Sequence, residues 1–336
     1  MDELDKNILS ELQNKGFQKS NTLASLLGVG ERTLRRRIRN MRNKGIIKIV
    51  AVPNPVSFGY RGWAKIGIRT APGYLQDVAS QLVQCPSVYF VAYSIGTFNI
   101  MIAANFRSVD RLAHFANSEL TKIKGVQSVE TMILICPRKY YHFSWPTPIF
   151  QDAQNQVDYH SNVIASGSHY KVNEVERKIV SILMEDGLAR PATLKSRLGM
   201  GENTIRKYTK NMLNKGVFKI EVVPNTEVLE YEAWATMGIV INNQLAHEVL
   251  DNIIGHPAVY LASTSLGRFN LVIAARFENM DLLNQFVNID LPAIEGVSSV
   301  ETFLHKKPLK YHNINWLEPV NSLGQTNPAD SIKDKR

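Results

Sequence analysis

The chain is one unit written twice, 171 residues apart. Asn43-Lys44-Gly45 recurs as Asn214-Lys215-Gly216, Val52-Pro53-Asn54 as Val223-Pro224-Asn225, and Ser128-Val129-Glu130-Thr131 as Ser299-Val300-Glu301-Thr302. The register runs without a gap from Leu4/Val175 to Trp145/Trp316, and 56 of those 142 positions are identical. A repeat of this length fixes the domain plan before any local pattern is read. One module therefore accounts for both halves of the chain.

Charge separates the two copies. Residues 1–150 carry 20 Lys+Arg against 9 Asp+Glu, a net +11, whereas residues 151–336 carry 19 against 21, a net −2. The overall +9 is thus a property of the first copy. A basic half suggests a nucleic-acid partner, and the asymmetry asks for a specific basic feature.

That feature lies in the first sixty residues, which read as three helices. Asp2 is a candidate N-cap for a helix with Leu4, Ile8, Leu9 and Leu12 on one face, stopping at Gly16. A short helix follows Ser20-Asn21, and after Gly28-Val29-Gly30 a third runs from about Glu31 to Asn43. Helix–short turn–helix is a DNA-binding arrangement. On the third helix Leu34, Ile38 and Met41 form the stripe expected to be buried. Arg32, Arg35, Arg36 and Arg39 recur at helical spacing on another face, with Arg42 beyond and Thr33 beside them. A solvated face ordinarily mixes acids with bases, but here the single acid is Glu31. Long donors of this kind suit phosphates and the guanine edge. The second copy dilutes the row to Asn203, Arg206, Lys207 and Lys210. The apolar run Ile46–Val52 predicts a short strand pair, a wing.

The rest of each module reads strand–helix–strand–strand–helix–strand. In the first copy the strands are Trp63–Thr70, Val88–Ile95, Phe98–Phe106 and Val126–Ile135, with helices over Tyr74–Val83 and Ser108–Ile123. This is the ferredoxin-like βαββαβ order, with both helices on one face of an antiparallel sheet. Trp63, Tyr89 and Phe98 on the open face predict that something covers it. The expected fold class is α+β. The domains are a winged helix-turn-helix over 1–60, a ferredoxin-like domain over 61–145, an irregular linker over 146–172, second versions over 173–231 and 232–316, and a frayed tail over 317–336.

The ordered set of Leu4-Asp5, Leu23-Ala24 to Leu27-Gly28, the helix Thr33–Met41, Gly45-Ile46-Ile47, Gly96-Thr97-Phe98-Asn99, Gly125-Val126 and Val129-Glu130-Thr131 resembles the leucine-responsive/asparagine regulators (Lrp/AsnC) of prokaryotes. The resemblance holds in both copies. It implies a DNA-binding transcriptional regulator that pairs through its open sheet faces and assembles further. It also implies a small-molecule effector, an amino acid or other compound, sensed near the hairpins at Gly96, Thr97 and Asn99 and at Gly267, Arg268 and Asn270. Two positions depart from the family pattern. Gly30 and Gly201 stand where Ser often caps the recognition helix, and Asn99 and Asn270 stand where an Asp often serves an amino group.

Other chemistries find little support. No apolar stretch is long enough to span a bilayer, the acidic N-terminus is no signal peptide, and Cys85 and Cys136 make no framework. The chain is expected to be cytoplasmic, non-enzymatic, and to need neither metal nor cofactor; His305 and His312 are the nearest histidine pair. Trp63, Trp145, Trp234 and Trp316 read as packing at the sheet ends. The alternative is a fused siroheme decarboxylase-like enzyme, since such enzymes pair two unlike halves of this build. Against it, the second ferredoxin-like region offers only Arg268 and Arg276 to a polycarboxylate.

Charge also bears on pairing. The first ferredoxin-like region carries 9 Lys+Arg and 4 Asp+Glu, the second 5 and 8. Arg61, Lys65 and Arg69 share one strand face, and their counterparts are Glu232, Thr236 and Val240. First against second is therefore favoured over first against first, as a pseudo-dimer within the chain or between two chains, in an expected homo-oligomer.

Overall fold

The computed structural model describes residues 2–15, 20–54, 56–140, 143–144, 170–225, 231–306 and 308–311. Gly16, Trp145, His312 and Trp316, nearly all of the expected linker and all of the expected tail lie outside them.

The first copy begins with α1 (Glu3–Lys15), α2 (Ser20–Leu26) and α3 (Glu31–Asn43). The Asp2 carboxylate accepts from the Asp5 backbone N–H at 3.0 Å, as its capping role requires. β1 (Ile47–Pro53) follows, but it is no half of a local wing. Its partner is the equivalent strand of the second copy, β7 (Phe218–Pro224), antiparallel from Ile47↔Pro224 to Pro53↔Phe218. The apolar run is a strand, as its composition implies; its neighbour is 171 residues away because a strand edge specifies no partner by itself. At the centre of the ribbon Val50 lies opposite Glu221, its own counterpart in the repeat, so a pseudo-twofold axis passes through that pair.

The ribbon is shared by both helical heads. α1, α2 and α3 bury Ile8, Leu12, Leu23, Leu34 and Met41 together with Ile47, Ile49 and the second copy's Val222. The second head is α6 (Glu174–Glu185), α7 (Pro191–Leu198) and α8 (Glu202–Asn214), whose core takes in Ala51 of the first copy. Between α6 and α7, Gly187 donates its N–H to the Ile49 carbonyl at 2.8 Å.

The ferredoxin-like parts follow the expected order. The first has β2 (Gly62–Thr70), α4 (Leu75–Gln84), β3 (Val88–Ile95), β4 (Ile100–Phe106), α5 (Val109–His114) and β5 (Val126–Tyr140) with the two-residue β6 (Phe143–Ser144). The second has β8 (Ala233–Ile241), α9 (Ala246–Ile254), β9 (Val259–Leu266), β10 (Leu271–Phe277), α10 (Met280–Gln285), β11 (Val297–His305) and β12 (Lys310–Tyr311). The helix expected over 108–123 changes pitch: α5 opens into a π-turn over Phe115–Glu119 and closes in a 3-10 turn. The wider turn puts Phe115 and Leu120, five residues apart, on the core face; Phe286 and Leu291 repeat the device.

β5 runs five residues further than expected because its end pairs with β9 of the other copy, from Ile133↔Leu266 to Tyr140↔Leu261. The symmetric seam, β11 on β3, is shorter, with Leu304↔Ile95 and His305↔Ser94, and β12 adds Lys310↔Val91 and Tyr311↔Phe90. The two four-stranded sheets thus close face to face, helices outside. The open face does find its cover: Trp63, Tyr89 and Phe98 lie buried with Trp234, Tyr260 and Phe269 in the shared interior.

Two outcomes follow at the ribbon. A Cβ on Gly187 would stand 2.9 Å from the Val50 backbone, so Gly187→Ala should cost about 1–3 kcal/mol through overpacking and lower the midpoint of chemical denaturation. Glu221 is 4% exposed, and burial pushes its carboxyl up to about 7, with Lys219 opposing. A folded value above the unfolded 4.5 gives stability that is present below 4.5 and is lost as pH rises through about 7. Melting curves of Glu221→Gln should therefore converge on the wild type near about pH 4 and lie above it near about pH 8.

Candidate nucleic-acid interface

Helix α3 is built as its sequence spacing implies. Leu34 and Met41 are buried and Ile38 is half-buried, while Arg32, Arg35, Arg36 and Arg39 are exposed and Thr33 half-exposed. The helix starts at Gly30 in extended backbone, φ −68 and ψ 139, with no side-chain cap. Gly45, in the left-handed region at φ 67, carries the chain from the helix into β1.

Two arginines of this helix have other partners. Arg37 is held by both Asp2 and Asp5 of α1, the latter at 3.2 Å, which fixes the helix against its neighbour. Arg42 bonds Asp186 of the second copy at 3.2 Å, linking the two heads. Sequence spacing groups Arg42 with the outer row; in the fold it is half-buried at the junction between heads. Arg35 also reaches Glu31 one turn back, an exposed pair worth about 0–1 kcal/mol and easily exchanged for a phosphate.

α8 repeats the plan with fewer charges. Ile205 and Met212 are buried, Thr209 is half-buried, and Asn203, Arg206, Lys207 and Lys210 are exposed. Gly201, φ −63 and ψ 141, again gives no side-chain cap. The second head is entered through a full capping box, Asn173 with Glu176, both bonds at 2.9 Å.

At the hairpins each tip touches the opposite copy. Thr97 Oγ1 donates to Glu301 at 2.8 Å, and its counterpart Arg268 donates to Glu130 at 2.9 Å and also to Glu301. Gly96 and Gly267 make the turns at φ 126 and 129. Asn99 accepts from the Thr70 N–H at 3.0 Å and donates to its hydroxyl; Asn270 accepts from Ile241 N–H and donates to Ile241 O, both at 2.8 Å. These amides clip each hairpin to its neighbouring strand.

The charges that join the copies differ from those expected. Arg69 donates to Thr97 O, Arg61 to the carbonyls of Val56 and Tyr60, and Lys65 is only 2% exposed inside the closed sheet. Among the described residues, ion pairs between the copies include instead Arg268–Glu130, Arg138–Asp251 and Arg42–Asp186. Two lysines at equivalent positions add to them. Lys139 Nζ donates to Ile254 O and His256 O where α9 ends, and Lys310 Nζ to Cys85 O where α4 ends. A cation at the carbonyl end of a helix is a favourable placement.

Sequence reasoning missed an interior polar set: Lys65, Arg276 and His305. Each occupies an inward strand position whose counterpart in the other copy is uncharged, namely Thr236, Asn105 and Leu134. That mismatch between copies was the available signal. Among the described residues no three His, Cys, Asp or Glu side chains gather as a metal site, and no helix is long and apolar enough to cross a membrane.

Comparison with known proteins matches this architecture. The Lrp/AsnC ligand binding domain model fits residues 64–141 and again 235–314, and a winged helix-turn-helix DNA-binding model fits residues 1–48. An HTH-type transcriptional regulator of Pyrococcus furiosus is 36% identical over 141 residues, 42% of this chain and 95% of that protein. The HTH-type transcriptional regulator LrpA of Pyrococcus abyssi is 30% identical over 136 residues, 40% of this chain and 96% of that protein. Among solved structures, the siroheme decarboxylase NirDL aligns over 91% of this chain and 92% of its own, with a TM-score of 0.61 at 15% identity, a likeness of fold. With two ligand-binding domains and an N-terminal reading head of this type, the chain belongs to the Lrp/AsnC family of helix-turn-helix transcriptional regulators.

Proposed function

We propose that this chain binds double-stranded DNA sequence-specifically through α3 and α8 and regulates transcription. The observation that carries the reading is the row of Arg32, Arg35, Arg36 and Arg39, exposed on α3 opposite its buried stripe while Arg37 and Arg42 are taken up by carboxylates. Four long cations held on a rigid helix cost little to order on phosphates and base edges. Asn203, Arg206, Lys207 and Lys210 form the second, weaker reading surface. Because the β1–β7 ribbon joins the two heads about a pseudo-twofold axis, one chain supplies what a dimer of single modules supplies. The unlike heads favour an imperfect palindrome. A further homo-oligomer of such chains is compatible with this reading, as is a cytoplasmic location.

An effector acts, in this proposal, through the ferredoxin-like pair. At the hairpins Gly96, Thr97, Asn99, Gly267, Arg268 and Asn270 a ligand competes with Glu130 and Glu301, which already hold Thr97 and Arg268. One observation favours a second reading, a siroheme decarboxylase-like enzyme: the whole-chain likeness to NirDL. It leaves the arginine row of α3 without a role. A visible absorption scan of the purified protein, beside a gel shift with genomic fragments, separates the two.

Replacing Arg35 and Arg36 together with Ala should weaken binding to a mapped operator by about 1–3 kcal/mol for each base edge that is no longer read. The slope of log K against log salt should shrink by about 0.9 for each phosphate left unneutralised. Unchanged affinity and slope would refute the assignment. The same pair of changes on α8, Arg206→Ala and Lys207→Ala, should affect only one half of the operator in footprinting.

A further inference from the structure

The interior between the two sheets is an unusual place for charged and titratable side chains. Lys65, Arg276 and His305 are 2%, 2% and 3% exposed, and the buried carboxylates of the described residues, Glu176 and Glu221, belong to the second head and the ribbon. The Lys65 ammonium lies over the Phe90 ring at 4.1 Å, and burial alone, with no carboxylate opposing it, lowers its pKa to about 7. His305 Nε2 meets Thr236 Oγ1 at 2.9 Å, whereas its Nδ1 is buried without a hydrogen-bond partner; so is the Tyr260 hydroxyl. The Arg276 guanidinium stacks on Tyr231, Trp234 and Tyr260 at 4.8–5.8 Å.

Between the two cations runs a row of rings. Phe90, Tyr311, Trp234 and Tyr260 stand edge-on at 5.3–6.3 Å. Burying a charge without a counter-ion is costly, and a buried polar atom without a partner costs about 1–3 kcal/mol. The Lys65 ammonium, the His305 Nδ1 and the Tyr260 hydroxyl, gathered in one interior, are stability given up, as happens at functional sites. The chemistry that would repay them all is an anion with an aromatic body: a carboxylate for the ammonium and the imidazole, and a ring for the aromatic row. The rings are in contact, so the ligand must part them. The β3–β11 seam, two residue pairs long against six for β5–β9, is where the sheets part most easily, and His305 lies in it.

We propose that the interior of the closed sheet, lined by Lys65, His305, Tyr260 and Arg276, binds a small aromatic carboxylate. This goes beyond the regulator reading and stands without it. Within that reading it names a class of compound that the closed sheets take up at a place distinct from the hairpin tips.

The test uses the full chain without DNA, titrated calorimetrically and by thermal shift with millimolar benzoate, and with benzylamine as the cationic isostere. Benzoate is expected to bind saturably and raise the melting temperature, and benzylamine to do neither. Lys65→Met keeps the length of the side chain and removes the charge. It should melt higher than the wild type and bind benzoate at least about tenfold more weakly. The proposal is overturned if benzoate gives no saturable signal, if benzylamine matches it, or if Lys65→Met melts lower with its benzoate response intact. Because no readout involves DNA, a chain that failed to shift any operator would leave this result unaffected.

Discussion

The antiparallel pairing of each copy with its twin is the constraint on which the rest depends. A single module offers two unfinished edges, β1 and the free rims of its four-stranded sheet, and one apolar sheet face. Unpaired backbone and exposed rings are both unfavourable in water. Duplication in one chain satisfies all of them together, since β1 meets β7 and the sheets close through β5–β9 and β3–β11. The intramolecular partner is present at high effective concentration, so the arrangement does not await a second molecule.

Once the copies are joined, their divergence acquires meaning. At the pseudo-axis, Val50 faces Glu221, so two valines or two glutamates are both avoided. In the interior, Lys65, Arg276 and His305 each lie at a position where the other copy is uncharged, so none of the three is repeated across the pseudo-axis. On the helix-turn-helix surfaces α3 holds a dense arginine row and α8 a thinner basic one. A homodimer must repeat every residue across its axis; a fused pair is free of that rule, and this chain uses the freedom at its axis, its interior and its outer surface.

Much of the fold was legible because it is encoded over short distances. The stripe Leu34, Ile38 and Met41 and the arginine row are consequences of the 3.6-residue period and needed no partner to be read. Alternation likewise put Trp63 and Lys65 on one strand face and Ala64, Ile66 and Ile68 on the other, and the latter do pack under the helices. The wing was not legible, because the hydrogen-bonding edge of Ile47–Pro53 accepts any antiparallel strand and the local sequence does not say which. The pitch change after α5 was hidden for a similar reason: Phe115 and Leu120 fit an ordinary helix equally well until the sheet beneath them is known.

By itself the sequence determined the duplication, the order of elements, the family resemblance and the basic face of α3, since each is written in identities along the chain or in local periodicities. Only the tertiary structure decided which of those arginines are engaged elsewhere, Arg37 by Asp2 and Asp5 and Arg42 by Asp186, and that Lys65 lies inside rather than at a charged rim. The physical reason is that burial and ion pairing are set by what comes to lie opposite. For Arg37 that is α1 of its own head, and for Arg42 it is the other copy, folded back from 171 residues away.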